Sequence, residues 1–378
     1  MNASSFPAPD GGRRPATLAP PARRRVACLL GLPFDLIDLQ QACARMRAEP
    51  PGSGAILSTP NVNWVMLARD HACLRASVLA SALSVVDGMP LVLLGRLTGI
   101  AFPERVSGAD LFEGLRAGAR PWRVFFFGGQ GDVAERASAA LGAKGGALSG
   151  AGGLNPGRGD LDSMSAAALL APVRAARANL VVVSLGALRG QTWVVRNHAQ
   201  LQADWVTHLG AVVNFVAGDV RRAPPWVARG GIEWIWRIVQ EPALWQRYGR
   251  DGLRLLGLLA TRVAPLLLWQ RWHAPRADAT ADWQPLGAGS ARMAGAWQGD
   301  ADGLLERELA HLAADTSASV LTLDLSQLAW LCPLCAGQLL VCQGRLAASA
   351  RALRIVRPSR AARRLLRGYG ADDLIAAD

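Results

Sequence analysis

Gly54-Ala-Ile-Leu-Ser-Thr-Pro-Asn-Val-Asn-Trp-Val-Met-Leu-Ala-Arg69, continued by Leu83-Ser-Val-Val-Asp-Gly-Met-Pro90 and Phe102-Pro-Glu-Arg-Val-Ser-Gly108, is the stretch that decides the fold. Ala55 to Ser58 and Leu83 to Val86 are short apolar runs of the kind that fill a parallel sheet buried on both faces. Helical spacing from about Val62 to Ala82 separates them, so the unit reads strand, helix, strand. Each run ends in polar residues, Thr59-Pro60-Asn61 and Asp87-Gly88. In open α/β sheets ligands bind beyond the carboxyl ends of the strands, so Thr59, Asn61 and Asp87 are predicted to share one crevice. Each alone reads equally well as a helix cap or turn residue. Their order along the chain is what points to a site.

The same alternation extends outward. Val26 to Leu32 reads as an edge strand followed by a turn at Pro33-Phe34-Asp35, and Leu36 to Ala48 as an amphipathic helix. Arg105 precedes a helix at Asp110 to Ala117. Its planar fork suits a diphosphate, with a salt bridge to Glu104 or Asp110 as the alternative. Strand Arg123 to Phe127 runs into Gly128-Gly129-Gln130-Gly131 and a helix from Asp132; such glycines admit a phosphate to a helix N-terminus or make a tight turn. Asp160 and Asp162 have the Asp-x-Asp spacing of a metal clamp, but they open a helix predicted over Ser163 to Arg177, where acidic residues are favoured without a metal. Asn179 to Val183 is the most apolar strand, and a further strand is predicted over Ala211 to Phe215. The fold class is therefore α/β, a Rossmann-like, mostly parallel sheet with helices on both faces.

Five marks occur in order: Thr59-Pro60-Asn61, Asp87-Gly88-Met89-Pro90, Pro103 to Leu111, Arg221-Arg-Ala-Pro224 and Ile232-Glu-Trp-Ile-Trp-Arg237. Together they resemble the WecG/TagA/CpsF family of bacterial glycosyltransferases over roughly Arg25 to Arg271. The resemblance implies sugar transfer from a UDP-sugar donor to a polyprenyl-diphosphate-linked acceptor in cell-surface polysaccharide synthesis, without metal or other cofactor. It also implies donor contacts around Gly128, Gly129, Gly186 and Gln191, and from Arg237 and Arg247. Aligned on Gly186 and Trp193, the family's Pro falls on Leu188, its Gln on Gly190 and its Glu on Gln191. Its aromatic-Asp pair falls on Val213-Asn214, and Leu244 stands where another Arg is common.

The six Cys are scattered among 378 residues, as expected of reduced thiols in a cytoplasmic protein. Residues 1 to 25 hold five Arg and one Asp among Pro, Ala, Gly and Ser, which reads as a disordered tail rather than a signal peptide. The net charge of +12 is unevenly placed. Residues 220 to 276 hold ten basic and three acidic residues, whereas residues 277 to 378 are slightly acidic. Lys144 is the only lysine, so part of the arginine content follows genome composition.

Residues 221 to 274, after a catalytic domain at 26 to 220, form a basic appendage holding six of the thirteen Trp. A helix from Trp245 places Arg247, Arg250, Arg254 and Arg262 on one side and Leu253, Leu256, Leu259, Val263 and Leu267 on the other. Charges and Pro265 argue against a spanning helix. The expectation is a helix in the interface of the inner face of the cytoplasmic membrane, with packing on the core or in a homo-oligomer as the alternative. No nucleic-acid recognition pattern accompanies the charge.

A linker is predicted at 275 to 282 and a second α/β domain at 283 to 378. Its helices at Leu304 to Ala313, Leu339 to Ser349 and Ala361 to Tyr369 alternate with strands at Val320 to Leu325 and Leu353 to Val356. This pattern resembles a STAS domain, which implies a protein partner. The family's phosphorylatable Asp-Ser-Ser-Gly falls on Cys332, Pro333, Leu334 and Cys335, so a constitutive docking module is expected rather than a kinase-switched one. Cys332 and Cys335 read as core thiols, since no His or second pair completes a metal site.

The functional expectation is an inverting transferase. Asp87 takes the acceptor proton, Thr59 and Asn61 orient hydroxyls, and Arg105 steadies the departing diphosphate. The alternative from another class is a degenerate scaffold that recruits a polysaccharide assembly through its last domain. A dinucleotide-binding dehydrogenase lacks its glycine fingerprint after the first strand.

Overall fold

The computed structural model describes residues 24–220, 223–224, 233–240, 242, 244–299 and 303–376. Most of the tail predicted at 1 to 25 and half of the Arg221 to Pro224 mark lie outside the described residues, as does the side chain of Arg237.

Six parallel strands form the main sheet: β3 (Ala55–Ser58), β4 (Leu83–Ser84), β5 (Trp122–Gly128), β6 (Leu148–Leu154), β7 (Leu180–Ser184) and β8 (Trp205–His208). Their order is β4-β3-β8-β7-β5-β6, with every pairing parallel. Alternate residues of each strand go to opposite faces. Leu57, Val124, Phe126, Leu180 and Val182 pack under helices α1 (Leu39–Ala48), α5 (Gly108–Arg116), α6 (Val133–Lys144) and α10 (Val212–Ala217). Ile56, Phe125, Phe127, Val181 and Val183 pack on the other face, under α9 (Ala187–Asn197), where the Phe127 and Trp193 rings stack at 4.2 Å. Burial on both faces is why Leu180 to Val183 carries no polar residue.

Several local expectations change in detail. Residues 212–217 are helical, so the strand predicted over Ala211 to Phe215 is displaced to β8. Three β-branched valines in six residues favoured the strand reading, and packing on α6 overrides that preference. The helix predicted from Val62 divides at His71 into α2 (Val62–Asp70) and α3 (Ala72–Leu79). The first strand is an antiparallel hairpin apart from the main sheet, β1 (Val26–Leu29) on β2 (Leu32–Asp35). Arg24 belongs to this hairpin: it is buried and makes a two-pronged pair with Asp35, which also accepts the Ser84 amide at 2.7 Å.

The last part of the chain forms a second sheet in the order β12 (Leu328–Leu331), β10 (Ser290–Trp297), β11 (Val320–Asp324), β13 (Ala352–Val356), with β9 (Ala281–Gly287) antiparallel on β10. Its helix Pro333–Ala347 starts six residues before the predicted Leu339 and is buried along almost its whole length. One side covers its own sheet; the other lies on the β1–β2 hairpin and the end of α3. Gly337 and Gly344, seven residues apart and so on one face, make this approach possible. A Cβ at either would overlap a backbone carbonyl, that of Val26 or of Leu79. Gln338 Nε2 donates to the Arg24 carbonyl at 2.7 Å, and the Gly31 amide donates to Tyr369 O at 2.7 Å. The two halves therefore share one apolar core.

A continuous helix from Leu244 to His273, with a π-turn at Leu259–Val263, lies across both halves. It is long and apolar enough to cross a membrane by length and composition. Three of its charges, however, are used within the protein. Asn63 donates to Asp251 at 2.9 Å, Arg254 pairs with Asp70 and Arg262 with Asp372. Trp269 stacks on Trp330 at 5.7 Å and Gln270 donates to the Tyr369 hydroxyl. The apolar stripe expected along one side is divided: Val263 and Leu266 are buried, whereas Leu253, Leu256, Leu268 and Trp272 face solvent.

Candidate active site

The β3–β4 pairing runs on past both strands. Val85 N donates to Ser58 O at 3.0 Å and Asp87 N to Pro60 O at 3.1 Å. From the paired Ser58 and Ser84, three further register steps put Asn61 beside Asp87. Alternation gives Thr59, Asn61 and Asp87 the same face, that of Leu57 and Leu83. The predicted crevice residues therefore stand together at the carboxyl edge. Asp87 and Asn61 are half-buried, and Thr59 is buried at 6% exposure beside Gly108 and Leu209.

Two helices start at this edge. Asn61 Oδ1 accepts Trp64 N at 3.2 Å and so caps α2, leaving its amide nitrogen for a ligand. Gly88, at φ 130°, turns the chain from Asp87 into the helix Met89–Leu97, whose Pro90 sits in the first turn. A third segment closes over them: Val106 N donates to Val86 O at 2.9 Å, placing Arg105 and Ser107 next to Asp87. Ser107 caps α5, and Arg105 pairs with Asp110 at 3.2 Å, the alternative weighed for it from the sequence. That pair is half-buried, so the guanidinium is held at the crevice by a carboxylate of the next helix.

The glycines divide by role. Gly129 N donates to Ser184 O at 2.8 Å, and a Cβ at Gly128 would press on that same carbonyl. These two residues close the β5–β7 edge as a tight turn, the alternative given for them from the sequence. Gly186, at φ 80°, opens α9 with free space around it, which leaves that helix N-terminus accessible to an anion. Gln191 is fully buried and its Nε2 donates to Ser58 Oγ at 2.7 Å, on the sheet face away from Thr59 and Asp87.

Asp160 and Asp162 serve separate ends. The first caps the short helix Leu161–Met164 by accepting Ser163 N, which lowers its pKa, and the second pairs with Arg196. Arg247 lies one helical turn before Asp251, and Asp251 bonds Asn63 in the first turn of α2. The appendage helix thus reaches the lip that Asn61 caps. Its Arg247 stacks over Tyr248 at 5.2 Å, with Nε buried and unpartnered. A surface depression of about 590 Å³ lies on the outer side of the Arg105 loop, lined by Asp38, Gln40, Arg47, Pro103 and Glu104. It contains none of the strand-end residues Thr59, Asn61 and Asp87.

Sequence reasoning passed over the residues beneath this edge. Ser58, Ser84 and His208 end three adjacent strands, and only their position just before the polar turns could have marked them. Burial holds the His208 imidazole neutral by pulling its pKa down to about 4.

Comparison with known proteins places the chain among glycosyltransferases. A family model described as the glycosyl transferase WecG/TagA/CpsF family matches residues 27–267. A relative from Bacillus subtilis (strain 168), N-acetylglucosaminyldiphosphoundecaprenol N-acetyl-beta-D-mannosaminyltransferase, is 29% identical over 203 residues, 51% of this chain and 75% of the relative.

Proposed function

The chain belongs to the WecG/TagA/CpsF family of glycosyltransferases, and from that membership we propose that it moves an N-acetylhexosamine or hexose from a UDP-sugar to a polyprenyl-diphosphate-linked N-acetylglucosamine. The acceptor class follows the relative's name. The observation that carries the reading is the extended β3–β4 ladder, which brings Asn61 and Asp87 side by side under the Arg105 loop.

In the proposed reaction the acceptor hydroxyl attacks the anomeric carbon of the donor in one inverting displacement. A carboxylate within hydrogen-bond reach of that hydroxyl takes its proton, and Asp87 is the half-buried carboxylate at the strand ends. The amide nitrogen of Asn61 and the hydroxyl of Thr59 orient the two sugars. Arg105, the open N-terminus of α9 at Gly186 and the appendage arginines Arg247 and Arg237 meet charge growing on the departing UDP. No step calls on a metal.

The acceptor's polyprenyl chain lies in a bilayer, and the helix Leu244–His273 supplies the matching surface. Leu253 is 72% and Trp272 80% exposed, while Asp251, Arg254 and Arg262 of the helix are tied to the protein. A spanning helix would carry those charges into hydrocarbon; one lying flat keeps them paired and buries only its outer stripe. The proposed location is accordingly the inner face of the cytoplasmic membrane. The last domain, with its STAS-like pattern, is proposed as a site for a protein partner on the surface it leaves free. Purified protein incubated with a panel of UDP-sugars and a short-chain polyprenyl-diphosphate N-acetylglucosamine, read by mass spectrometry, tests the activity. Absence of any sugar adduct on the acceptor would refute it.

A further inference from the structure

Helix Arg360–Tyr369 of the last domain is divided sharply between two sides. Ala362, Leu365, Leu366 and Tyr369 are buried, and Arg360, Arg363, Arg364 and Arg367 all lie on the opposite, exposed side. The helix contains no Asp or Glu. This crowding runs against the helix's own preference: arginines three and four residues apart repel one another, and Arg360 and Arg363 stand at the end where the helix dipole disfavours cations. Nor does it follow from the domain's composition, because residues 277 to 378 hold ten basic residues against eleven acidic ones. A face that costs the helix stability and concentrates one sign of charge is matched by an anionic surface.

The long helix Leu244–His273 fixes what lies beside this face. The two helices are in close contact: a Cβ at Gly368 would press on the Leu266 side chain, Arg262 Nη1 donates to the Arg367 carbonyl at 3.0 Å and Gln270 to the Tyr369 hydroxyl at 3.1 Å. The Arg364 guanidinium lies over the Trp269 ring at 5.9 Å. Trp272, three residues on, is the neighbour of Trp269 on the helix surface, and Leu268 stands one turn before Trp272. Both are open to solvent, Leu268 at 65% and Trp272 at 80% exposure. Arginine, tryptophan and leucine thus form one run of surface, from the basic face into the apolar stripe already proposed to meet the bilayer.

We propose that the exposed face of helix Arg360–Tyr369 is a docking surface for acidic phospholipid headgroups, so that the last domain supplies the electrostatic half of a membrane contact whose apolar half is the long helix. Arginines hold phosphates through paired N–H donors, the tryptophan suits the headgroup level and the leucine the acyl boundary. Binding of such a surface grows with the apolar area buried and with attraction to anionic lipid, and the two halves supply one each. A nucleic acid would meet the same charge, but the exposed tryptophan and leucine beside it favour a partner that is apolar beneath its anionic layer. The inference rests on the membrane location proposed above and adds the chemistry recognised by this second face.

The test is sedimentation of the full chain with vesicles of phosphatidylcholine alone and of phosphatidylcholine mixed with phosphatidylglycerol. It compares wild type with Arg360→Gln/Arg364→Gln/Arg367→Gln and with Arg360→Lys/Arg364→Lys/Arg367→Lys, thermal melting establishing that each is folded. An arginine at an acidic bilayer is worth about five-fold in affinity, so the Gln variant is expected to bind the acidic vesicles at least about 10-fold more weakly, with binding to neutral vesicles unchanged. The Lys variant, which preserves the charge, is expected to stay within a few-fold of wild type. Should the triple Gln variant not fold, Arg360→Gln alone carries the test, with an expected loss of about five-fold. Equal affinity of wild type and Gln variant for acidic vesicles would overturn the proposal and leave the apolar contact standing. A wild type indifferent to acidic lipid but retained by a single-stranded oligonucleotide would also overturn it and assign the face to nucleic acid. A wild type that binds neither kind of vesicle would overturn this proposal and the membrane location together.

Discussion

The amide of Asp87 donates to the carbonyl of Pro60 at 3.1 Å, two residues beyond the last formal pair of β3 and β4. Because the ladder continues, Asn61 and Asp87 are placed by sheet geometry and not by a flexible loop. A site mounted on continuous strands holds its groups more tightly than one on loops, and this relation decides which substitutions are expected to act on chemistry and which on the scaffold.

The seam between the halves is set by glycine. Gly344→Ala would ordinarily gain about 1 kcal/mol of helix propensity, but its Cβ would overlap the Leu79 carbonyl. Overpacking of about 1–3 kcal/mol outweighs that gain. Urea unfolding is therefore expected to show a net loss for Gly344→Ala. Gly252→Ala, in open space on the surface helix, is expected to gain several tenths of a kcal/mol to 1 kcal/mol.

Arg24 and Asp35 are both buried and bonded twice. Removing one partner strands the other charge, so Arg24→Ala is expected to destabilise by about 3–5 kcal/mol. Arg24→Met/Asp35→Leu is expected to lose clearly less in the same denaturant titration; equal losses would show that the pair's charge is not what matters.

His208 makes stability depend on pH. Its folded pKa of about 4 lies below the ordinary 6.5 because burial disfavours the cation, with only a contact to its own backbone opposing. The unfolded chain therefore binds more protons between these values. The contribution is complete above pH 6.5 and is lost as pH falls towards 4, on the order of 3 kcal/mol in all. His198, lowered by the same cause, adds loss of the same sign. The difference between wild type and His208→Gln isolates the first group: melting curves are expected to converge as pH drops from 7 to 4.5, and parallel curves would contradict the assignment.

Membrane contact is separable from folding. Leu253 and Leu256 are exposed on the outer stripe of the long helix, so Leu253→Glu/Leu256→Glu is expected to leave the melting temperature within a few degrees. The same variant is expected to abolish sedimentation with vesicles rich in acidic phospholipid. Retained binding would move the contact to another surface.

What the sequence made legible follows from what is local. The apolar runs at Ala55 and Leu83, with polar residues one step beyond, located the crevice because strand period and turn chemistry are properties of neighbouring residues. The role of Gln191 was not legible, since whether it faces a donor or Ser58 depends on which sheet face α9 covers. Arg24 looked like part of a polar tail because its partner, Asp35, lies eleven residues on in a hairpin outside the main sheet. The last domain read as a separate unit from its change in charge. Its fusion to the hairpin rests on two glycines, Gly337 and Gly344, whose meaning appears only when the helix meets Val26 and Leu79.

The central claim is that Asp87 acts as the base at the end of the β3–β4 ladder, and the most direct test is single-turnover transfer by Asp87→Asn beside calorimetric binding of the UDP-sugar. The account predicts a rate lowered by about 10²–10⁴-fold with donor affinity within a few-fold of wild type. An Asp87→Asn protein that transfers at the wild-type rate would contradict it.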